Sequence, residues 1–279
     1  MESKQAMGAI GIFDSGYGGL TVLEGIRKVL PNYDYIYLGD NARAPYGVRS
    51  FELVYRFTLQ AVEHLFGLGC PLVILGCNTA SAKALRTIQQ NDLPMMSDPT
   101  RRVLGVIRPT VERLGEISHT GHIGVLGTPG TIASQSYDIE VAKLYPDFIV
   151  TGHACPMWVP LVENKESMNA GADYFVKQEI ERLFDADAKI DTVVLGCTHY
   201  PLLLDKIKKY LPKGVSLVLQ GEITGTSLSD YLRRHPEMER RISQGATCRY
   251  LTTEKAERFS DMASIFLSTD VVAEQTQIP

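Results

Sequence analysis

Leu72-Val73-Ile74-Leu75-Gly76-Cys77-Asn78-Thr79 and Val193-Val194-Leu195-Gly196-Cys197-Thr198-His199 read alike, with their cysteines 120 positions apart. Each is a short, unbroken apolar run, then a glycine, a cysteine, a hydroxyl or amide residue, and a segment of helical period. Such runs are strands buried on both faces, as in parallel sheets covered by helices. Outward from the two copies the same alternation continues. Strands are expected at 9–13, 35–38, 72–75, 122–126, 148–151, 192–195 and 216–219. Helices are expected at 20–30, 51–67, 80–90, 132–144, 168–184, 202–211 and 228–234. The fold class is therefore α/β. The duplicated unit implies two similar halves, each presenting a cysteine at the carboxyl end of a strand, where ligands sit in such sheets.

A chain of 279 residues with 44% hydrophobic content can bury a large core, and its length favours two domains. Residues 91–102 (NDLPMMSDPTRR) are rich in chain breakers and mark a first boundary; a second crossing is expected near Leu211-Pro212-Lys213-Gly214. The expected division is 1–100 with 213–279 as one discontinuous domain and 101–212 as an inserted one. The polar end of 264–279 reads as frayed.

The net charge of −4 and pI near 5.9 speak against a nucleic-acid partner. Arg233-Arg234 through Arg240-Arg241, the densest basic cluster, lies among acids and reads as a solvated helix face. No apolar run approaches the roughly 20 residues that span a bilayer. The opening MESKQAMGAI lacks the pattern of a signal peptide, so a cytoplasmic location and no membrane partner are expected. Five cysteines at wide spacing in a reducing compartment are buried small hydrophobes or reactive thiols rather than disulfides.

Cys77 sits between a strand and a helix start, where free backbone N–H groups favour a thiolate and, with Asn78 and Thr79, suit a small carboxylate. The competing reading is a buried structural cysteine with ordinary capping residues. Cys197 repeats the setting, with Pro201 placed to begin a helix and His199 able to tune the thiol or hold a carboxylate. Cys-x-His is a poor chelate spacing and no Cys-x-x-Cys or His-x₃-His accompanies it, so no metal site is expected. Ile12-Phe13-Asp14-Ser15-Gly16-Tyr17-Gly18-Gly19 is a strand, an acid and a tight glycine turn. It lacks the order of a dinucleotide loop and the ending of a P-loop. Asp14 and Ser15 either cap the turn or grip an ammonium group, and Asp14 could take a proton from a thiol. The loop from Asp40 to Gly47 is either a plain connection or a source of ligand contacts. Glu163, after Cys155-Pro156-Met157-Trp158-Val159-Pro160-Leu161-Val162, reads by itself as a surface charge. Cys70, Cys155 and Cys248 lack the strand–glycine setting and read as structural. His64, His119, His122, His153 and His235 show no partner and read as structural or surface residues.

The Phe-Asp-Ser-Gly-Tyr-Gly-Gly turn, Pro45-Tyr46-Gly47, Gly-Cys-Asn-Thr-Ala, Val-Pro-Leu-Val-Glu and Leu-Gly-Cys-Thr-His-Tyr-Pro together resemble the bacterial glutamate racemases, in order and spacing, from about Ile10 to Leu211. The resemblance implies two pseudosymmetric α/β domains, each a mainly parallel sheet flanked by helices, with the active site in the cleft between them. It implies cofactor-independent racemisation of L-glutamate to D-glutamate, supplying peptidoglycan. Carried over by position, Cys77 and Cys197 are the catalytic acid/bases. Asp14 assists Cys77; His199 and Glu163 assist Cys197. Substrate contacts come from Asp14, Ser15, Tyr46, Gly47, Asn78, Thr79, Thr128, Thr198 and His199. The chain departs from the family at Gln220-Gly221-Glu222-Ile223, where many members carry an Asp-containing stretch.

Racemisation must take a weakly acidic α-proton from one face of a carbon and return one to the other, which two opposed bases do more readily than one. No pyridoxal site is indicated, and the expected partner is a small-molecule substrate; oligomeric state is left open, a homodimer included. Three rivals remain: a related racemase or isomerase acting on aspartate or another small acid, a thiol hydrolase built on Cys197 and His199, and a non-catalytic amino-acid-binding protein.

Overall fold

The two cysteine units end equivalent strands of two parallel sheets. The computed structural model of the chain describes residues 7–279; residues 1–6, the start of the stretch read above for a leader, lie outside them. The strands are β1 (Ile10–Asp14), β2 (Tyr35–Gly39), β3 (Leu72–Leu75), β4 (Arg102–Gly105), β5 (His122–Gly127), β6 (Ile149–Ala154), β7 (Thr192–Gly196), β8 (Ser216–Val218), β9 (Cys248–Thr252) and β10 (Ala273–Gln275). One sheet has the order β10-β9-β2-β1-β3-β4 and the other β6-β5-β7-β8. Within them β2-β1-β3-β4 and β6-β5-β7-β8 follow the same order, which is the internal repeat in three dimensions. Both sheets are parallel throughout, with Ile10 opposite Tyr35 and Leu72 in the first and Ile123 opposite Thr192 in the second. Every residue of β1, β2, β3 and β7 is buried, so continuous apolar runs are what those positions require.

Two strands lie just past the expected boundaries at 100/101 and 212/213. Residues Arg102–Gly105 pair with β3 and Ser216–Val218 pair with β7. Two expected helices are also broken. The stretch 80–90 divides into Asn78–Lys83, Leu85–Thr87 and a π turn at Ile88–Asp92. The stretch 132–144 divides into Pro129–Ala133 and Ser136–Leu144 at Gln135, whose φ of 53° no α-helix tolerates. The tail is ordered rather than frayed. Phe259, Met262, Ala263 and Phe266 form the buried face of the helix Ala256–Leu267, and β10 pairs with β9. Thr276 then donates its N–H to the Thr252 carbonyl at 2.8 Å.

The helices Gly19–Val29 and Gln220–Arg234 cross at three glycines, which ties the returning segment of the chain to its beginning. A Cβ added to Gly25 would lie 2.3 Å from the carbonyl carbon of Gly221, and one added to Gly225 would lie 3.0 Å from the Gly25 oxygen. Backbone meets backbone there, so no side chain can swing aside. Gly25→Ala should therefore cost about 2 kcal/mol or more, seen as a melting point lower by about 5 °C; an unchanged melting curve would show the crossing to be pliant.

Candidate active site

Both cysteines are carried to one cavity by the carboxyl ends of their strands. Cys77 follows β3 and caps the helix Asn78–Lys83, its sulfur accepting the Ala80 N–H at 3.5 Å. Cys197 follows β7, and each cysteine is 6% exposed. A cavity of about 120 Å³ is lined from the first sheet by Ser15, Tyr46, Gly47, Cys77, Asn78 and Thr79. From the second sheet come Thr128, Cys155, Glu163, Cys197, Thr198 and His199.

The surroundings of the two sulfurs differ in charge. Ser15 Oγ lies 3.4 Å from Cys77 Sγ, the contact expected of Asp14. Asp14 itself is fully buried behind the wall. It accepts the Gly16 N–H at 2.9 Å and the Thr198 hydroxyl at 3.4 Å, and does not line the cavity. Burial and the nearby negative charge of Asp14 push the Cys77 thiol up to about 12, which keeps it protonated near neutral pH. Burial also raises Asp14, against the opposing pull of His199 and of backbone N–H donors.

Cys197 faces a cation instead. His199 Nδ1 lies 4.0 Å from Cys197 Sγ, and its Nε2 pairs with Glu163 Oε1 at 3.0 Å. Burial alone would lower the His199 pKa. Hydrogen bonds to Cys197 and Glu163, with their charges, outweigh it and raise the group to about 10. An imidazolium at that distance stabilises negative charge on the sulfur.

Glu163 reaches this relay because of the apolar residues before it. Trp158 is fully buried and packs edge-on against Tyr200, ring centroids 4.7 Å apart, which fixes the short helix Trp158–Glu163 beside His199. The turn after β1 also needs its glycines. A Cβ on Gly18 would lie 2.2 Å from Thr198 Oγ1 and 2.5 Å from His199 Nδ1.

The remaining walls mix apolar residues, Pro45, Val48 and Val159 among them, with polar groups that are already oriented. Thr79, Thr128 and Thr131 hydroxyls lie within 2.9–3.2 Å of one another, one from the first half and two from the second. Tyr46 directs its hydroxyl to buried Asp40 at 2.5 Å, so it offers the cavity its ring and backbone. Asp40, which also accepts from Arg43 at 2.6 Å and Thr253 at 2.9 Å, has no motif of its own in the sequence to mark it. The Gly47 carbonyl accepts the Gly130 N–H at 2.7 Å, joining loops from the two sheets across the cavity. Cys155, expected to be structural, lines the site, whereas Cys70 is buried in the core and Cys248 lies on β9.

Four of the histidines expected without partners have them. His122 meets Asp187 at 2.6 Å, His153 meets Glu179 at 2.6 Å, His64 meets Thr276 at 3.1 Å and His235 meets Glu237 at 3.1 Å. None of these lines the cavity. Among the described residues no three or more His, Cys, Asp or Glu side chains are grouped to hold a metal ion, and no helix is long and apolar enough to cross a membrane.

Known proteins share this architecture. The glutamate racemase of Ruegeria sp. (strain TM1040) is 40% identical over 276 residues, covering 95% of this chain and 99% of its own. The crystal structure of glutamate racemase isoform RacE1 from Bacillus anthracis superposes with a TM-score of 0.88 at 35% identity, covering 99% of both chains. That of the Francisella tularensis glutamate racemase in complex with D-glutamate gives 0.83 at 27% identity, covering 99% of this chain and 98% of that one. The family model described as Asp/Glu/Hydantoin racemase matches residues 19–224. With its sequence, sheets and relatives in agreement, the chain belongs to the Asp/Glu/Hydantoin racemase family and is an isomerase.

Proposed function

We propose that this protein interconverts L- and D-glutamate by proton transfer between Cys77, Cys197 and the α-carbon, supplying D-glutamate for peptidoglycan. The observation that carries the reading is that two cysteines from equivalent strands of two sheets line one small cavity. A thiol hydrolase would need only Cys197 and His199, and a binding protein would need neither thiol. Full-length relatives named glutamate racemase favour glutamate over aspartate as the substrate.

In one direction the Cys197 thiolate takes the α-proton and the C–H electron pair moves into the adjoining carboxylate, leaving the carbon planar. The Cys77 thiol then delivers its proton to the opposite face, the electron pair returns, and Cys77 is left as the thiolate. The reverse reaction begins from that swapped state, so each sulfur serves as base in one direction and acid in the other. The His199 imidazolium, held by Glu163, steadies charge on Cys197. Ser15 steadies it on Cys77, while the charge of Asp14 behind the wall favours the protonated thiol there. Asn78, Thr79, Thr128, Thr198 and the backbone of Tyr46 and Gly47 hold the carboxylates. The halves act as domains, in essence 1–100 with 213–279 against 101–212, with β4 assigned to the first and β8 to the second.

Circular dichroism of purified protein with L-glutamate, D-glutamate or L-aspartate tests the reading. Loss of optical activity from both glutamate enantiomers is expected, and preference for aspartate would redirect it. Turnover should also withstand dialysis against a chelator and removal of pyridoxal phosphate. Activity lost on dialysis and restored by a metal would contradict a scheme built on these side chains alone.

A further inference from the structure

Asn78 in the cavity wall and two buried side chains behind it close a hydrogen-bonded ring that the proton transfers do not use. Asn78 Nδ2 donates to Gln220 Oε1 at 2.6 Å. Gln220 Nε2 donates to the Tyr137 hydroxyl at 2.9 Å, and that hydroxyl donates to Asn78 Oδ1 at 2.7 Å. Each donor hands on to the next acceptor in the same sense. The other Gln220 N–H goes to Thr110 Oγ1 at 3.0 Å. Thr110 gives its own proton to the Val106 carbonyl at 2.7 Å, so toward Gln220 it can only accept. That one-way contact fixes which end of the Gln220 amide is nitrogen. The ring then fixes Asn78, because turning either amide would set donor against donor or acceptor against acceptor.

One donor of the ring is still uncommitted. Asn78 has two N–H bonds, one given to Gln220, and its side chain lines the cavity. Its remaining N–H is therefore free for a ligand, in an orientation set by residues 59 and 142 positions away along the chain. The ring also spans the fold. Asn78 follows β3 of the first sheet, Tyr137 belongs to a helix between β5 and β6 of the second, and Gln220 opens the helix that crosses back.

We propose that Gln220 is a positioning residue of the racemase site. Through the ring with Tyr137 it aims the free Asn78 N–H at a carboxylate of the bound amino acid, an inference that rests on the racemase reading above. A neutral amide is required. An ionised acid at position 220 would accept from both Asn78 and Tyr137, take the tyrosine proton away from Asn78 Oδ1, and set a negative charge beside the substrate carboxylate.

The test is steady-state kinetics on the full-length protein carrying Gln220→Met, Tyr137→Phe, both, or Gln220→Glu. Gln220→Met and Tyr137→Phe should each raise KM for glutamate about tenfold with kcat changed less than about threefold, as for a lost oriented hydrogen bond. The double variant should fall well short of the product of the two effects, since one break already opens the ring. Gln220→Glu gives a second readout. A protonated carboxyl can accept from Asn78 and donate to Tyr137, so KM relative to wild type should stay near one at acidic pH. It should climb as the pH rises through the pKa of the buried acid.

A purely structural role would lower the melting points while leaving KM, and the pH course of that ratio, as in the wild type; that result overturns the proposal. Should Gln220→Met fail to fold, Tyr137→Phe and the pH course of Gln220→Glu still decide between the two roles. A wild-type protein that fails to racemise glutamate would refute the underlying reading, an outcome visible before any variant is measured.

Discussion

Replacing Cys77 or Cys197 with alanine should each reduce racemisation by at least about 10³-fold, since each variant loses a general acid in one direction and a general base in the other. The loss must appear in both directions. Free L- and D-glutamate have equal energy in solution, so kcat/KM is the same from either side in the wild type and in any variant. A cysteine that served one direction alone would violate that equality. Stability is a separate matter. Each sulfur borders an existing cavity, and the alanine variants should keep the circular dichroism spectrum and melt within a few degrees of wild type. A variant at either position that racemises at near wild-type rate would end the two-base scheme.

Removing the charge on His199 should have the next largest effect. His199→Asn deletes the cation 4.0 Å from Cys197 and leaves Glu163 without its partner. A fall of about 10²-fold in kcat/KM is expected, equal in both directions by the same equality, while kcat is free to divide unevenly between them. Glu163→Gln should be milder, about tenfold, because the imidazole stays in place and loses only the carboxylate that favours its charged form.

The pH dependence of stability follows from the same group. The His199 pKa in the folded protein is raised to about 10, against an ordinary value of 6.5. A raised pKa means that the folded state holds the proton more tightly. Its stabilisation is then complete below 6.5 and is lost as pH rises toward about 10. Melting points between pH 6.5 and 10 should fall more steeply in the wild type than in His199→Asn; parallel slopes would mean that His199 is uncharged in the folded protein.

How much of this was legible in the sequence depended on whether the signal was local. Strands β1, β2, β3 and β7 are buried along their whole length and therefore spell out unbroken apolar runs. The cysteine motif was equally local, since strand, glycine and cysteine adjoin. β4, β9 and β10 were missed because each has exposed or half-exposed positions and charged residues such as Arg102, Arg249 and Glu274. The polar letters of 264–279 concealed Val271 and Ala273, which are buried at alternate positions.

Glu163 was readable only by resemblance. Its own neighbourhood describes a surface acid, and it joins the site because Trp158 packs on Tyr200, a contact no local pattern announces. The ring of Asn78, Gln220 and Tyr137 joins three distant segments and left no mark at all. Asp14 is the opposite case. Its place in the motif was plain, but its position behind the wall, with Ser15 nearer the sulfur, emerges only from three-dimensional packing.

The most direct test of opposed sulfur bases is the fate of the α-hydrogen in D₂O at low conversion of L-glutamate. Each newly formed D-glutamate is expected to carry one deuterium at Cα, delivered by the far thiol, while unconverted L-glutamate keeps its protium. Product that retains the original protium, or recovered L-glutamate that gains deuterium as fast as D-glutamate forms, would mean that a single base serves both faces.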